Sequence, residues 1–183
     1  MKTLSEEELR ALLDDRGILA PGALAPPPRA RCLAVFAQRP DPRLDVEALK
    51  QQASRFFATK LGLTVDKRYG TDPPIADAAR IVVSGADPGA SGTRLCYGRA
   101  ASADDVAAAE EAERQQGSTG LALLAQRCRT VWLVVPEPGD DGADRVALTI
   151  AAIFASTMLG PILVPGGREI FGVRTARMKL EAH

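Results

Sequence analysis

The arginines and glycines near the carboxyl terminus are the residues whose types and spacing best suit chemistry, namely the binding of an anion. Three arginines and three glycines fall within residues 166–177. Guanidinium groups and the backbone amides of a glycine turn are donors that proteins use for phosphates and carboxylates. The sequence therefore predicts a ligand-binding anion site in this segment, formed by Arg168, Arg174, Arg177, Gly166 and Gly167. Arg94 and Arg99 would contribute to it if their preceding strand lies alongside.

Two simpler interpretations explain the same pattern without a ligand. The segment could form a surface hairpin followed by a basic helix end. Alternatively, one of these arginines could pair with Glu169 or with an aspartate from the acidic loop near residue 140. An arginine held in such a pair has its donors occupied and is not available to a ligand.

The residue types that most often carry catalysis are scarce or poorly spaced. The only histidine is His183, so we expect neither a histidine base nor a histidine metal site. Cys32, Cys96 and Cys128 are far apart, which predicts free, buried thiols rather than a disulfide framework or a zinc site. No stretch matches the phosphate-binding pattern G-x-x-x-x-G-K-[ST]. We therefore expect no catalytic residue, no metal and no cofactor, and lean towards a protein that is not an enzyme.

The first thirty residues predict an amphipathic helix joined to the rest of the chain by a stiff spacer. Ser5 and Glu8 have the spacing of a capping box, and Gly17 ends the helix. The predicted units are a helix in 1–19, a Pro/Ala/Gly spacer in 20–30 and a core domain in 31–183. An apolar stripe on the helix suits docking to a partner protein: Leu9, Leu12, Leu13, Ile18 and Leu19. The stripe could instead pack on its own domain or on a neighbouring copy.

The remaining sequence alternates strand-like and helix-like segments. Apolar runs predict strands at residues 32–37, 81–84, 93–97, 131–135, 162–164 and 170–171, the second and third forming a hairpin. Val65 and Tyr69 could lie in a further short strand. Helices are expected over residues 44–61, 102–116, 118–127 and 146–158, with Asp45 and Ser102 as N-caps of the first two. The predicted fold class is α+β, a single domain with a mixed sheet of about five to six strands and helices packed against it.

Composition excludes several classes of partner. Apolar residues make up 46% of the chain, and 23 basic side chains balance 23 acidic ones, so a nucleic-acid partner is not expected. The uncharged run 146–164 approaches the length of a membrane span, but Gly160-Pro161 interrupts it, so we expect a buried helix and strand and no membrane. No signal peptide is evident, which predicts a soluble, cytoplasmic protein. The Ala-, Arg- and Asp-rich usage is typical of bacteria with GC-rich DNA.

These observations lead to two competing functions. The first is a non-catalytic interaction or adaptor module that uses the N-terminal helix. The alternative is a small-anion-binding enzyme or sensor with its site on the C-terminal arginine and glycine segment. Self-association is also open, because the apolar N-terminal helix and the small-residue face of helix 146–158 could each pack against a twofold mate.

Overall fold

The fold is built on one antiparallel sheet. A computed structural model describes residues 27–39, 44–66, 75–85, 88–139 and 144–182. The strands in these ranges are β1 Leu33–Ala37, β2 Lys60–Asp66, β3 Ile75–Ser84, β4 Gly92–Ala100, β5 Thr130–Val134, β6 Ile162–Leu163 and β7 Ile170–Phe171. They lie in the order β2-β3-β4-β5-β1-β6-β7, and every pairing between them is antiparallel.

Five helices of the described ranges cover the two faces of this sheet. They are α1 Val46–Phe57, α2 Ala103–Gln116, α3 Leu121–Gln126, α4 Arg145–Met158 and α5 Val173–Glu181. Helices α1, α4 and α5 share one apolar core with the sheet, and α2 and α3 share a second core with its opposite face. The molecule therefore has three layers with β4, β5 and β1 in the middle, and the predicted α+β class is confirmed.

The sheet differs from the prediction, since within the described ranges it has seven strands rather than five to six and is antiparallel rather than mixed. The additional strand is β2. Helix α1 ends at Phe57, because Ala58 adopts a left-handed conformation with φ 47° and turns the chain. Leu61 fits the helical spacing from Phe57, but it also starts the alternation of buried and exposed side chains in β2. The helix predicted to reach Leu61 is therefore too long.

The uncharged run 146–164 forms the centre of the larger core, as the sequence predicts. Helix α4 is buried on nearly all sides, and β6 follows it after a tight turn. At Gly160 a Cβ atom would overlap the carbonyl oxygen of Phe36, so only glycine allows this approach to β1. Across the described ranges, no helix is both long enough and apolar enough to cross a bilayer.

The N-caps predicted from the sequence are confirmed, and they fix where the helices begin. Asp45 accepts a hydrogen bond from Ala48 N at 3.0 Å. Ser102 and Asp105 form a reciprocal capping box at the start of α2. The predicted N-terminal helix, with its five stripe residues, lies outside the described residues, as does the first part of the spacer.

Candidate anion-binding site

The two predicted site residues on β4, Arg94 and Arg99, point to opposite faces of the sheet. They are five positions apart, and side chains alternate along a strand. Arg94 points towards α4 and Arg99 towards α2, where each meets a buried aspartate. The sheet itself therefore separates these two guanidinium groups, and they do not contribute to one common site.

Arg94 is neutralised by two acids. Its Nε lies 2.5 Å from Asp144 Oδ2, and its Nη2 lies 2.9 Å from Glu137 Oε2. Asp144 also accepts hydrogen bonds from the backbone amides of Ala147 at 2.9 Å and Glu137 at 2.8 Å. Burial opposes ionisation of Asp144, but these donors outweigh it and hold its pKa below the ordinary value. This arginine is thus a structural link between β4 and the start of α4.

Arg99 forms the equivalent link on the other face. Its Nη1 and Nη2 bind the two carboxylate oxygens of Asp105 at 2.6 and 2.8 Å. The Nε of Arg29 lies 3.4 Å from the same carboxylate, which is 1% exposed. Burial raises the pKa of Asp105, yet the bonds from Arg99 and Ser102 are stronger and lower it overall. The bidentate geometry leaves few free donors on Arg99 for a ligand.

Arg168 and Gly166 line a cavity of about 800 Å³ together with Arg31, Glu137 and Glu169. Gly167 belongs to the same turn, and its amide donates to Val164 O at 3.0 Å. Both glutamates are already paired with cations outside the lining, Glu137 with Arg94 at 2.9 Å and Glu169 with Lys179 at 3.0 Å. An anion in this cavity would meet two guanidinium groups and also these two carboxylates.

Arg174 and Arg177 lie on α5 and are exposed. Both line a shallow recess of about 340 Å³ on the outer side of the helix. Arg177 also faces a second cavity, where its guanidinium carbon lies 6.0 Å from the centre of the Phe57 ring. The predicted site residues are therefore distributed over two ion-paired positions on β4 and separate cavities around the fold.

The cavity beside Arg177 has a volume of about 430 Å³, and we call it the arginine cavity. It lies where the end of α1, the start of α4 and the last turns of α5 meet. Its lining combines three arginines, two phenylalanines, two threonines and one glutamate with two alanines, a glycine and a leucine. These residues are Arg55, Phe56, Phe57, Ala58, Thr59, Gly85, Ala90, Arg145, Thr149, Arg177, Leu180 and Glu181. Arg55 and Arg145 were not among the residues predicted from the sequence.

Local sequence explains how these side chains reach the cavity. The left-handed Ala58 ends α1 and leaves the last-turn residues Arg55 to Phe57 at its rim. Asp144 caps α4, which fixes Arg145 as the first helical residue. Thr149 donates to the carbonyl oxygen of Arg145 at 2.8 Å and so holds its own side chain against the helix.

The arginine cavity carries an excess of positive charge. Three guanidinium groups face one carboxylate, that of Glu181. Within the part of the chain that the structure describes, Arg55, Arg145 and Arg177 form no ion pair. Arg55 lies over the Phe56 ring at 5.3 Å, so the aromatic faces hold two of the cations near the cavity without neutralising them.

The cysteines offer no nucleophile. All three are free and buried, as predicted. Burial raises the pKa of Cys32 to about 11 and that of Cys128 to about 11, and it raises the pKa of Cys96 as well. These thiols stay protonated near neutral pH and are unreactive. Among the residues with described positions, no group of three His, Cys, Asp or Glu side chains could hold a metal ion.

Comparison with known proteins returns no relative. No protein family matches the chain, and no curated protein or solved structure is similar to it.

Proposed function

We propose that this protein binds a small anion with an apolar part in the arginine cavity. The observation that carries the proposal is the convergence of Arg55, Arg145 and Arg177, none of them ion-paired within the described ranges, beside the rings of Phe56 and Phe57. It is the anion-binding alternative raised by the sequence, placed at a different set of residues that shares Arg177.

Charge distinguishes this cavity from the larger one beside Arg168. There, two glutamates line the cavity beside two arginines, whereas here a single glutamate faces three arginines. A carboxylate or phosphate is attracted by each guanidinium and repelled by each carboxylate of a lining, so the excess of arginine favours its binding here. The arginine cavity is therefore the better anion site of the two.

The lining also indicates the shape of the ligand. About 430 Å³ lies within the range of ordinary small-molecule sites. A charged group would bind the guanidiniums of Arg145 and Arg177, and an apolar or aromatic group would lie against the rings from α1. An aromatic carboxylate or an aryl or nucleoside monophosphate has this combination, whereas inorganic phosphate offers the charge alone.

Calorimetric titration of the full chain tests the proposal with three probes: salicylate, adenosine monophosphate and inorganic phosphate. We expect at least one of the two aromatic anions to bind more tightly than inorganic phosphate. Arg145→Ala and Arg177→Ala should each weaken that binding by about tenfold, equivalent to about 1.4 kcal/mol. Arg127→Ala, which removes an exposed arginine outside the cavity, is the matched control and should leave the affinity unchanged.

If Arg127→Ala weakened binding as much as the two cavity variants, the loss would reflect the overall charge of the protein rather than the cavity. Absence of binding by all three probes would contradict the proposal. The adaptor function predicted from the N-terminal helix stays a prediction, since its residues lie outside the described part of the chain.

A further inference from the structure

The face of the sheet that carries α2 and α3 is covered over only about half of its width. The helices lie over β5, β1, β6 and β7 and reach β4 at Tyr97. Beyond Tyr97 and its strand partner Ala78, which is buried, the outward side chains of β2, β3 and β4 are exposed. We call this region the bare face, and its residues are Lys60, Gly62, Thr64, Arg80, Val82, Ser84, Thr93 and Leu95.

The bare face has an apolar centre with basic neighbours. Val82 is 42% exposed and Leu95 is 38% exposed. Val82 lies opposite Thr93 in the β3–β4 pair, and Arg80 lies opposite Leu95, so the two apolar side chains are diagonal neighbours. Lys60 and Arg80 add positive charge.

The opposite side of the same strands is packed at its centre, although Val65 near the end of β2 is 43% exposed there. Ile81, Val83 and Cys96 are at most 1% exposed beneath the helical layer that contains α4. The three strands thus bury one face and leave an apolar pair open on the other. Removing such adjoining apolar side chains from water is favourable, so an element that covers both of them would be stabilised.

The described chain begins on this side of the sheet. Pro27 is its first residue, and two positions later Arg29 binds Asp105 of α2 at 3.4 Å. Helix α2 packs on the same face of the sheet as the bare face. The described chain thus begins on the side of the sheet that carries the bare face, and 26 residues precede it in the sequence.

We propose that the N-terminal segment of the same chain covers the bare face, with its apolar stripe on Val82 and Leu95. Residues 1–19 carry five acids against three bases, which complements Lys60 and Arg80. Residues 20–26 span about 20 Å when extended at about 3.1 Å per residue. In the sheet order β1 and β3 are three strand spacings apart, which is about 14 Å at about 4.8 Å each, so a spacer of this length reaches from β1 to the bare face.

Disulfide trapping in the full chain tests this contact. The native thiols are buried and unreactive, so any disulfide that forms comes from the introduced pair of cysteines. Leu12→Cys with Leu95→Cys should form a disulfide within the monomer about tenfold faster than either of two control pairs, because docking raises the effective concentration. One control, Asp14→Cys with Leu95→Cys, uses the opposite side of the predicted helix. The other, Leu12→Cys with Leu123→Cys, uses an exposed residue of α3.

A single-cysteine measurement keeps the proposal testable if a double variant folds poorly. Leu95→Cys alone should react with a maleimide about tenfold faster once Leu12→Asp and Leu13→Asp are added, because charge in the stripe disfavours docking. Equal labelling rates, equal trapping rates in test and control pairs, or a disulfide between two copies would each overturn the proposal. The last result would assign the cover to a neighbouring chain.

Discussion

The arginines on the sheet and those at the helix ends behave as two different groups. Arg94 and Arg99 are 13% and 12% exposed in their side chains, and each binds a carboxylate that is almost fully buried. Arg55 and Arg177 are exposed, and like the partly buried Arg145 they bind no acid within the described ranges. The first group joins secondary structures, whereas the second leaves its donors available. An arginine-rich sequence therefore indicates a ligand site only once the paired guanidiniums have been set aside.

The largest effect should follow the loss of a partner of the sheet arginines. Asp105→Ala leaves Arg99 and Arg29 without their shared carboxylate and removes one half of the α2 capping box. We expect the free energy of unfolding to fall by about 3 kcal/mol or more, measured by urea denaturation. Asp104→Ala, an exposed neighbour in the same helical turn, is the control and should cost about 0.5 kcal/mol. Similar losses for both variants would contradict the structural role of the Arg99 pair.

Acid should weaken the same pairs. Burial raises the pKa of Asp105 and of Asp144, but their arginine and backbone partners lower it further, so both lie below 3.8 in the folded state. The unfolded chain therefore binds more protons than the folded chain between the lowered pKa values and about pH 4, and stability falls as the pH drops through this window.

Melting temperatures from pH 6 down to pH 2.5 would measure this dependence. Asp144→Asn should be less stable at pH 6 but lose less on acidification, because one titrating carboxylate is gone. A variant with the same slope as the parent would show that Asp144 does not contribute to the acid sensitivity.

The smallest stability change should come from the arginines of the arginine cavity. Arg145→Ala and Arg177→Ala break no ion pair of the described chain and relieve mutual repulsion, so the free energy of unfolding should change by about 0.5 kcal/mol or less. Chemical denaturation of each variant without ligand provides the measurement. A loss as large as that of Asp105→Ala would place these arginines in the structural group and remove the contrast.

Local sequence signals predicted much of the fold. The caps at Asp45 and Ser102 and the apolar run of β5 follow from neighbouring residues, and the structure has them where expected. Strand β2 was anticipated only as an open possibility around Val65, and its start was assigned to the preceding helix because Leu61 satisfies both the helical and the strand period. The arginine cavity could not be predicted, since Arg55, Arg145 and Arg177 come together only through the packing of three helices that are distant in sequence.

Strand β4 has a consequence for how the molecule unfolds. Through Arg94 it holds the layer of α4, and through Arg99 it holds the layer of α2. Fraying of either layer leaves a charge on the shared strand without its partner, which penalises partial opening. The two cores should therefore be lost in one cooperative transition, and slowly exchanging amides on both sides of β4 should report the same opening free energy.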